Sequence, residues 1–222
     1  MAGYSPTTYV ASAGIGLRVL DYEAPSYSAT FSSGHDDSVA PDDASRSTWW
    51  KALADLPYAL SIPDLPVAPT LVVLSAAYAS PLAPELAVLA ARGAEVLVVG
   101  GGHAVGGTAQ LPANRDLRAA LGGSAMSLNQ RMAAAWLEKL NGRALTDTRL
   151  FSEWTAWERV VQRPEAWGRQ TLTDDLVIRK IETLLSVDEQ ISASRALRIL
   201  RDSGFACEQK RFARLFGFAT ER

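Results

Sequence analysis

Two short apolar runs, "TLVVLSAA" at 70–77 and "AEVLVVGGG" at 94–102, constrain the fold more than any other feature of the chain. Both are rich in β-branched residues, nearly continuous in apolar character and closed by small residues, which is the pattern of strands covered on both faces. Between them lies "SPLAPELAVLAARG", with Ser80 placed as an N-cap, Pro81 at a first helical position and Gly93 at the stop. A strand, a helix and a second strand in that order form a parallel unit with a right-handed crossover. "TTYVASA" at 7–13 reads as a third strand of the same sheet.

Helical patterns fill the rest. "DDASRSTWWKALADLP" (42–57) reads as a helix that starts near Ala44 or Ser45 and stops at Pro57, and the proline-rich 58–70 stretch reads as a connection. "LPANRDLRAALGG" (111–123) and "SAMSLNQRMAAAWLEKLNG" (124–142) follow as helices. The second has Ser127 as its cap and Leu128, Met132, Trp136/Leu137 and Leu140 on one stripe. A polar stretch with Pro164 and Gly168 marks a hinge, and beyond it three helical segments at 174–190, 192–204 and 207–217 suit a helix-turn-helix-like module. Asp174 and Ser192 or Ser194 are the expected caps. The expected fold is α/β, a small, open, mainly parallel sheet covered by helices over 1–160, with a helical C-terminal module over 170–222.

Charge is unevenly spread although the net value is −2. Residues 1–110 hold four basic against ten acidic side chains, whereas residues 192–222 hold seven basic against three acidic. Arg195, Arg198 and Arg201 share one helical face, and Lys210, Arg211 and Arg214 form a second. These are either ordinary solvated positions or phosphate contacts, for which the guanidinium fork is suited.

Ligands of open α/β sheets bind beyond the carboxyl ends of the strands. Three loops answer that description, and they place Ser12, Gly14, Gly16, Tyr27, Ser75, Gly101 and His103 as ligand-binding candidates, with Tyr78 and Thr108 nearby in sequence. Familiar motifs fail here. "GGHAVGGT" carries Gly107 where a phosphate loop needs Lys, the dinucleotide-binding glycine spacing is absent, and no G-x-S-x-G elbow occurs. His103 is a candidate base with an equally ordinary loop reading, so no catalytic residue is assigned and no cofactor is expected.

A single cysteine, Cys207, and two histidines leave no basis for a zinc cluster or a disulfide framework, and the acidic run "GHDDSVAPDDAS" lacks calcium-loop spacing, so no metal is expected. Neither a signal peptide nor a run long enough to span a membrane is recognised, and a cytoplasmic location is expected.

The segment "YVASAGIGLRVLDYEAPSYSATF" resembles the strand-loop region of the peroxide-stress YaaA family, through Ser12, Ala13, Gly16, Leu17, Asp21 and Tyr27. "VVLSAAYASPLAPEL" is similar to the second strand of that group and of the uracil-DNA-glycosylase-like accessory domains of deazapurine modification enzymes. The resemblance implies a bacterial nucleic-acid-associated protein, accessory to base modification or to a defence system, with DNA or RNA as its partner. A structural subunit that docks on other proteins through Trp49, Trp50, Trp136, Trp154, Trp157 and Trp167 is the alternative.

Overall fold

A computed structural model describes residues 6–57, 59–164 and 170–220. Gly168 and Trp167, the expected hinge and docking residues, lie outside the described residues. The chain divides into two compact units, Met1–Pro164 and Glu165–Arg222.

The first unit is organised by a three-stranded parallel sheet, β3 (Thr70–Leu74), β4 (Val96–Gly100) and β5 (Ala109–Leu111), with β4 in the middle. Val96, Leu97, Val98 and Val99 are all essentially inaccessible to water. Alternation along the strand sends Val96 and Val98 into one core and Leu97 and Val99 into the other. The first core is closed by α1 (Asp43–Ala54) and α2 (Ala76–Ala91), through Trp50, Leu53, Leu82, Leu86 and Leu89. The second is closed by α4 (Leu128–Leu140) and α5 (Thr148–Val161), which follow the single-turn helix α3 (Arg118–Leu121), and here Met132, Trp136, Leu150 and Trp154 do the packing.

The sheet departs from the sequence reading in two ways. The expected third parallel strand at 7–13 is β1 (Tyr9–Ser12), and it pairs antiparallel with β2 (Gly16–Val19) in a separate hairpin. The physical reason is local. Gly16 adopts φ +72°, which a glycine takes without strain, and the chain turns back after three residues before any crossover can form. The third parallel strand is instead β5, only three residues long and set among polar neighbours that hide it in the sequence.

Helix ends shift as well. Asp42 caps α1, its carboxylate accepting from the Ser45 amide at 2.8 Å. α2 begins at Ala76, with Ser75 at the cap position, so Pro81 and Pro84 sit inside it and not at its start. α5 has no counterpart in the sequence reading, yet Asp147 caps it by accepting from the Leu150 amide, and its buried Leu150 and Trp154 are four residues apart.

Side-chain hydrogen bonds tie loops to these elements. Glu85 on α2 accepts from the Trp50 indole at 3.0 Å and from the Ile62 amide at 3.2 Å. Glu95 accepts from both the amide and the hydroxyl of Thr146. Trp136 donates to the Leu145 carbonyl inside the second core, with Trp154 edge-on to it at 5.6 Å.

The second unit comprises β6 (Gln170–Thr171), α6 (Asp174–Val187), α7 (Ala193–Asp202), β7 (Phe205–Ala206) and α8 (Gln209–Thr220). It has its own core of Val177, Ile181, Ala196, Leu197, Leu200, Phe212 and Leu215. β6 and β7 form a two-residue parallel pair. Ser192 caps α7, and Gly204 follows it at φ +86°. Thr173, not Asp174, holds the cap position of α6.

At Gly100 a φ of +89° combines with a backbone clash, since an added Cβ would run into the Leu74 carbonyl oxygen. Gly100→Ala is expected to destabilise the first unit by on the order of 3 kcal/mol, measured by urea unfolding followed by tryptophan fluorescence. Wild-type stability in that variant would refute the packing described.

Candidate functional sites

The carboxyl edge of the parallel sheet brings Ser75 and Gly101 together. The Leu74 carbonyl accepts from the Gly101 amide at 3.0 Å and from Asn129 Nδ2 at 2.9 Å, and the Gly100 carbonyl accepts from Gln110 Nε2 at 3.0 Å. An added Cβ at Gly102 would stand 3.3 Å from Ala76 Cβ, so the glycine loop adjoins the start of α2. Ser75 and His103 are exposed, and the Ser75 side chain makes no capping hydrogen bond. Glycine at 100 and 101 is required by positive φ. Much of this loop's composition therefore serves the chain path.

A second cluster lies on the hairpin. Ser12 Oγ and the Tyr27 hydroxyl are 2.6 Å apart, and the Gly14 amide donates to Ser12 Oγ at 3.1 Å. The Tyr27 ring lies so close against Gly14 that an added Cβ would collide with it, and the Trp49 indole donates to the Ala13 carbonyl at 2.7 Å. Ser12, Gly14 and Tyr27 thus form one group. β1 is not part of the parallel sheet, so the expected convergence of three parallel strand ends does not form, although Ala13 of the hairpin shares a core with Ala79 and Tyr78 of α2. Gly16 serves the turn by its positive φ.

In the second unit the six basic candidates divide by what they touch. Arg211 donates through Nε and a terminal nitrogen to Asp174 Oδ1, and from the same terminal nitrogen to the Leu172 carbonyl at 2.8 Å. Arg214 reaches the other Asp174 oxygen at 3.1 Å. Arg201 donates to the Cys207 carbonyl at 2.9 Å. These three are engaged in holding the unit together, which the sequence does not reveal because Asp174 is 37 residues from Arg211.

Arg195 has one loose ion pair, 3.7 Å from Asp188. Arg198 is exposed, and its side chain has no hydrogen bond or ion pair among the described residues; the exposed Lys210 ammonium is in the same state. An open groove of about 770 Å³ runs between α7 and α8, with Leu197, Phe212 and Ala213 along it and Arg195, Arg198 and Arg201 at its side. A smaller cavity of about 410 Å³ lies by Arg201, Cys207 and Glu208. The Glu208 carboxylate accepts from the amides of Lys210 and Arg211, an arrangement that caps α8 and holds the carboxyl pKa below its ordinary value.

No protein-family model, curated protein or solved structure matches the chain. Among the described residues no group of three His, Cys, Asp or Glu side chains is placed to hold a metal ion, and no helix is long and apolar enough to cross a membrane.

Both the hairpin group and the Asp174 pairing can be tested by substitution. Gly14→Ala forces the Tyr27 ring aside and is expected to cost about 1–2 kcal/mol, while Tyr27→Ala in the same chain should remove most of that penalty; additive effects in the double-mutant cycle would contradict the contact. Hydrogen bonding from Arg211, reinforced by Arg214, lowers the Asp174 pKa in the folded chain. A carboxylate whose pKa is depressed by folding contributes stability above its unfolded value, near 3.9, and loses that contribution as pH falls through the folded value. The second unit should therefore weaken on acidification below about pH 4, and Asp174→Asn should lower its stability at pH 7 and flatten that acid dependence. An unaltered pH profile of unfolding in Asp174→Asn would count against the clamp.

Proposed function

We propose that the protein associates with nucleic acid, holding backbone phosphates on the exposed face of α7 and the first turn of α8. The observation that carries this reading is Arg198, an exposed guanidinium with no side-chain partner among the described residues, flanked by the loosely paired Arg195 and beside the groove between the two helices. A fork of donors left free in water suits bidentate contact with phosphate oxygens and releases counterions when it makes one. Lys210 adds a point charge at the start of α8. Arg211 and Arg214 also support this surface, since both pair with Asp174 and hold α8 on α6.

In this reading α7 and α8 act as the two working helices of a helix-turn-helix-like module. The resemblance of the segments 9–31 and 72–86 to peroxide-stress proteins and deazapurine modification domains supports a role accessory to base modification or to bacterial defence, with the sheet-edge residues Ser75, Gly101 and His103 facing a base or nucleotide. The competing reading, docking through tryptophans, loses three of its anchors, since Trp50, Trp136 and Trp154 are interior.

Binding of a labelled duplex DNA by fluorescence anisotropy over a salt series tests the proposal. Replacing Arg195, Arg198 and Lys210 together by Ala should weaken binding and reduce the slope of log affinity against log salt by about 0.9 for each duplex phosphate that the variant leaves unneutralised. An unchanged affinity and slope would overturn it, as would no binding by the wild-type chain.

A further inference from the structure

Among the described residues only one charged side chain is buried. Arg18, in β2, is 5% exposed. Its two terminal nitrogens both point at the Pro57 carbonyl at 3.4 Å, the outer limit of a hydrogen bond, and its Nε is buried with no acceptor. No carboxylate among the described residues pairs with it: Asp21 and Glu23, three and five positions on, are exposed and make no ion pair with it. The Tyr22 ring, itself 39% exposed, lies 4.8 Å from the guanidinium carbon, and its hydroxyl has no hydrogen bond among the described residues.

A buried cation without a counter-ion is costly, and a buried donor without an acceptor adds to that cost. Asp or Glu at a neighbouring position would have neutralised it within the fold. We infer that Arg18 is the anchor of a binding site for a small oxyanion, a carboxylate or a phosphate, which docks on the unbonded Nε side of the guanidinium when the Tyr22 ring swings aside. The Pro57 carbonyl takes the far end of the fork and leaves that side for the bidentate geometry in which arginine meets oxyanions. Tyr22 then serves as the cover, held over the cation by a contact that an exposed ring breaks at small cost.

Thermal unfolding of the full chain tests this, with tryptophan fluorescence as the readout because five of the six tryptophans belong to the first unit. Midpoints are compared in sodium chloride, sodium phosphate and sodium acetate at equal ionic strength, for the wild type and Arg18→Met. The wild type should melt about 2–4 °C higher in phosphate or in acetate than in chloride, at an anion concentration near ten times Kd. Arg18→Met should lose that difference and melt in chloride no lower than the wild type, because an apolar chain of similar length replaces an uncompensated charge. The larger rise in acetate marks a carboxylate ligand and the larger rise in phosphate a phosphate one.

General salt stabilisation, or phosphate held by the basic C-terminal helices, would raise both proteins alike. An equal response in both proteins, or none in the wild type, overturns the inference. Should Arg18→Met fail to fold, Arg18→Lys keeps the charge without the fork; a reduced anion response supports the site and an undiminished one overturns it.

Discussion

The two-sided burial of β4 is the constraint on which the first unit depends. Four consecutive side chains, Val96 to Val99, are removed from water, and each is worth about 1.5–3 kcal/mol of transfer free energy. A strand buried on both faces obliges the chain to supply a helical layer on each, and the two cores of α1 with α2 and of α4 with α5 meet that demand. The loops at the carboxyl edge inherit the same constraint. Gly100 and Gly101 turn the chain out of a strand that has no free side, and Asn129 and Gln110 from neighbouring elements satisfy the carbonyls exposed there.

The second unit solves a different problem with fewer residues. Three helices cover a core of its own, and the start of α6 is fastened to α8 by Asp174, whose two oxygens receive Arg211 and Arg214. That clamp divides the basic residues into two kinds. Arginines inside it rigidify the helices, and those outside it, Arg198 above all, remain open to a partner. The proposed phosphate surface follows from this division rather than from the charge count, because Arg211 and Arg214 use part of their donor fork on Asp174.

What the sequence discloses is set by locality. β3, β4, the amphipathic α4 and the three C-terminal helices are legible because each writes its own apolar period or cap into consecutive residues. The hairpin of β1 and β2 is not, because Tyr9 to Ser12 has the composition of a buried strand, while the turn that redirects it rests on the single φ of Gly16. β5 is too short to show a period, and the prolines in α2 imitate a start signal inside a helix. Among the candidate residues, Ser12 and Tyr27 are already grouped by the sequence, whereas the Asp174–Arg211 clamp joins positions 37 residues apart, beyond the reach of pattern reading. The buried state of Arg18 belongs to the same class, since alternation along β2 alone does not say which face is covered.

The claim that α7 and the start of α8 form the nucleic-acid surface is tested most directly by hydrogen–deuterium exchange on the full chain with and without a saturating short DNA duplex. Added DNA should slow exchange in peptides covering 192–202 and 208–214, with little change over 70–100. Slowed exchange confined to the first unit, or none anywhere, would contradict it.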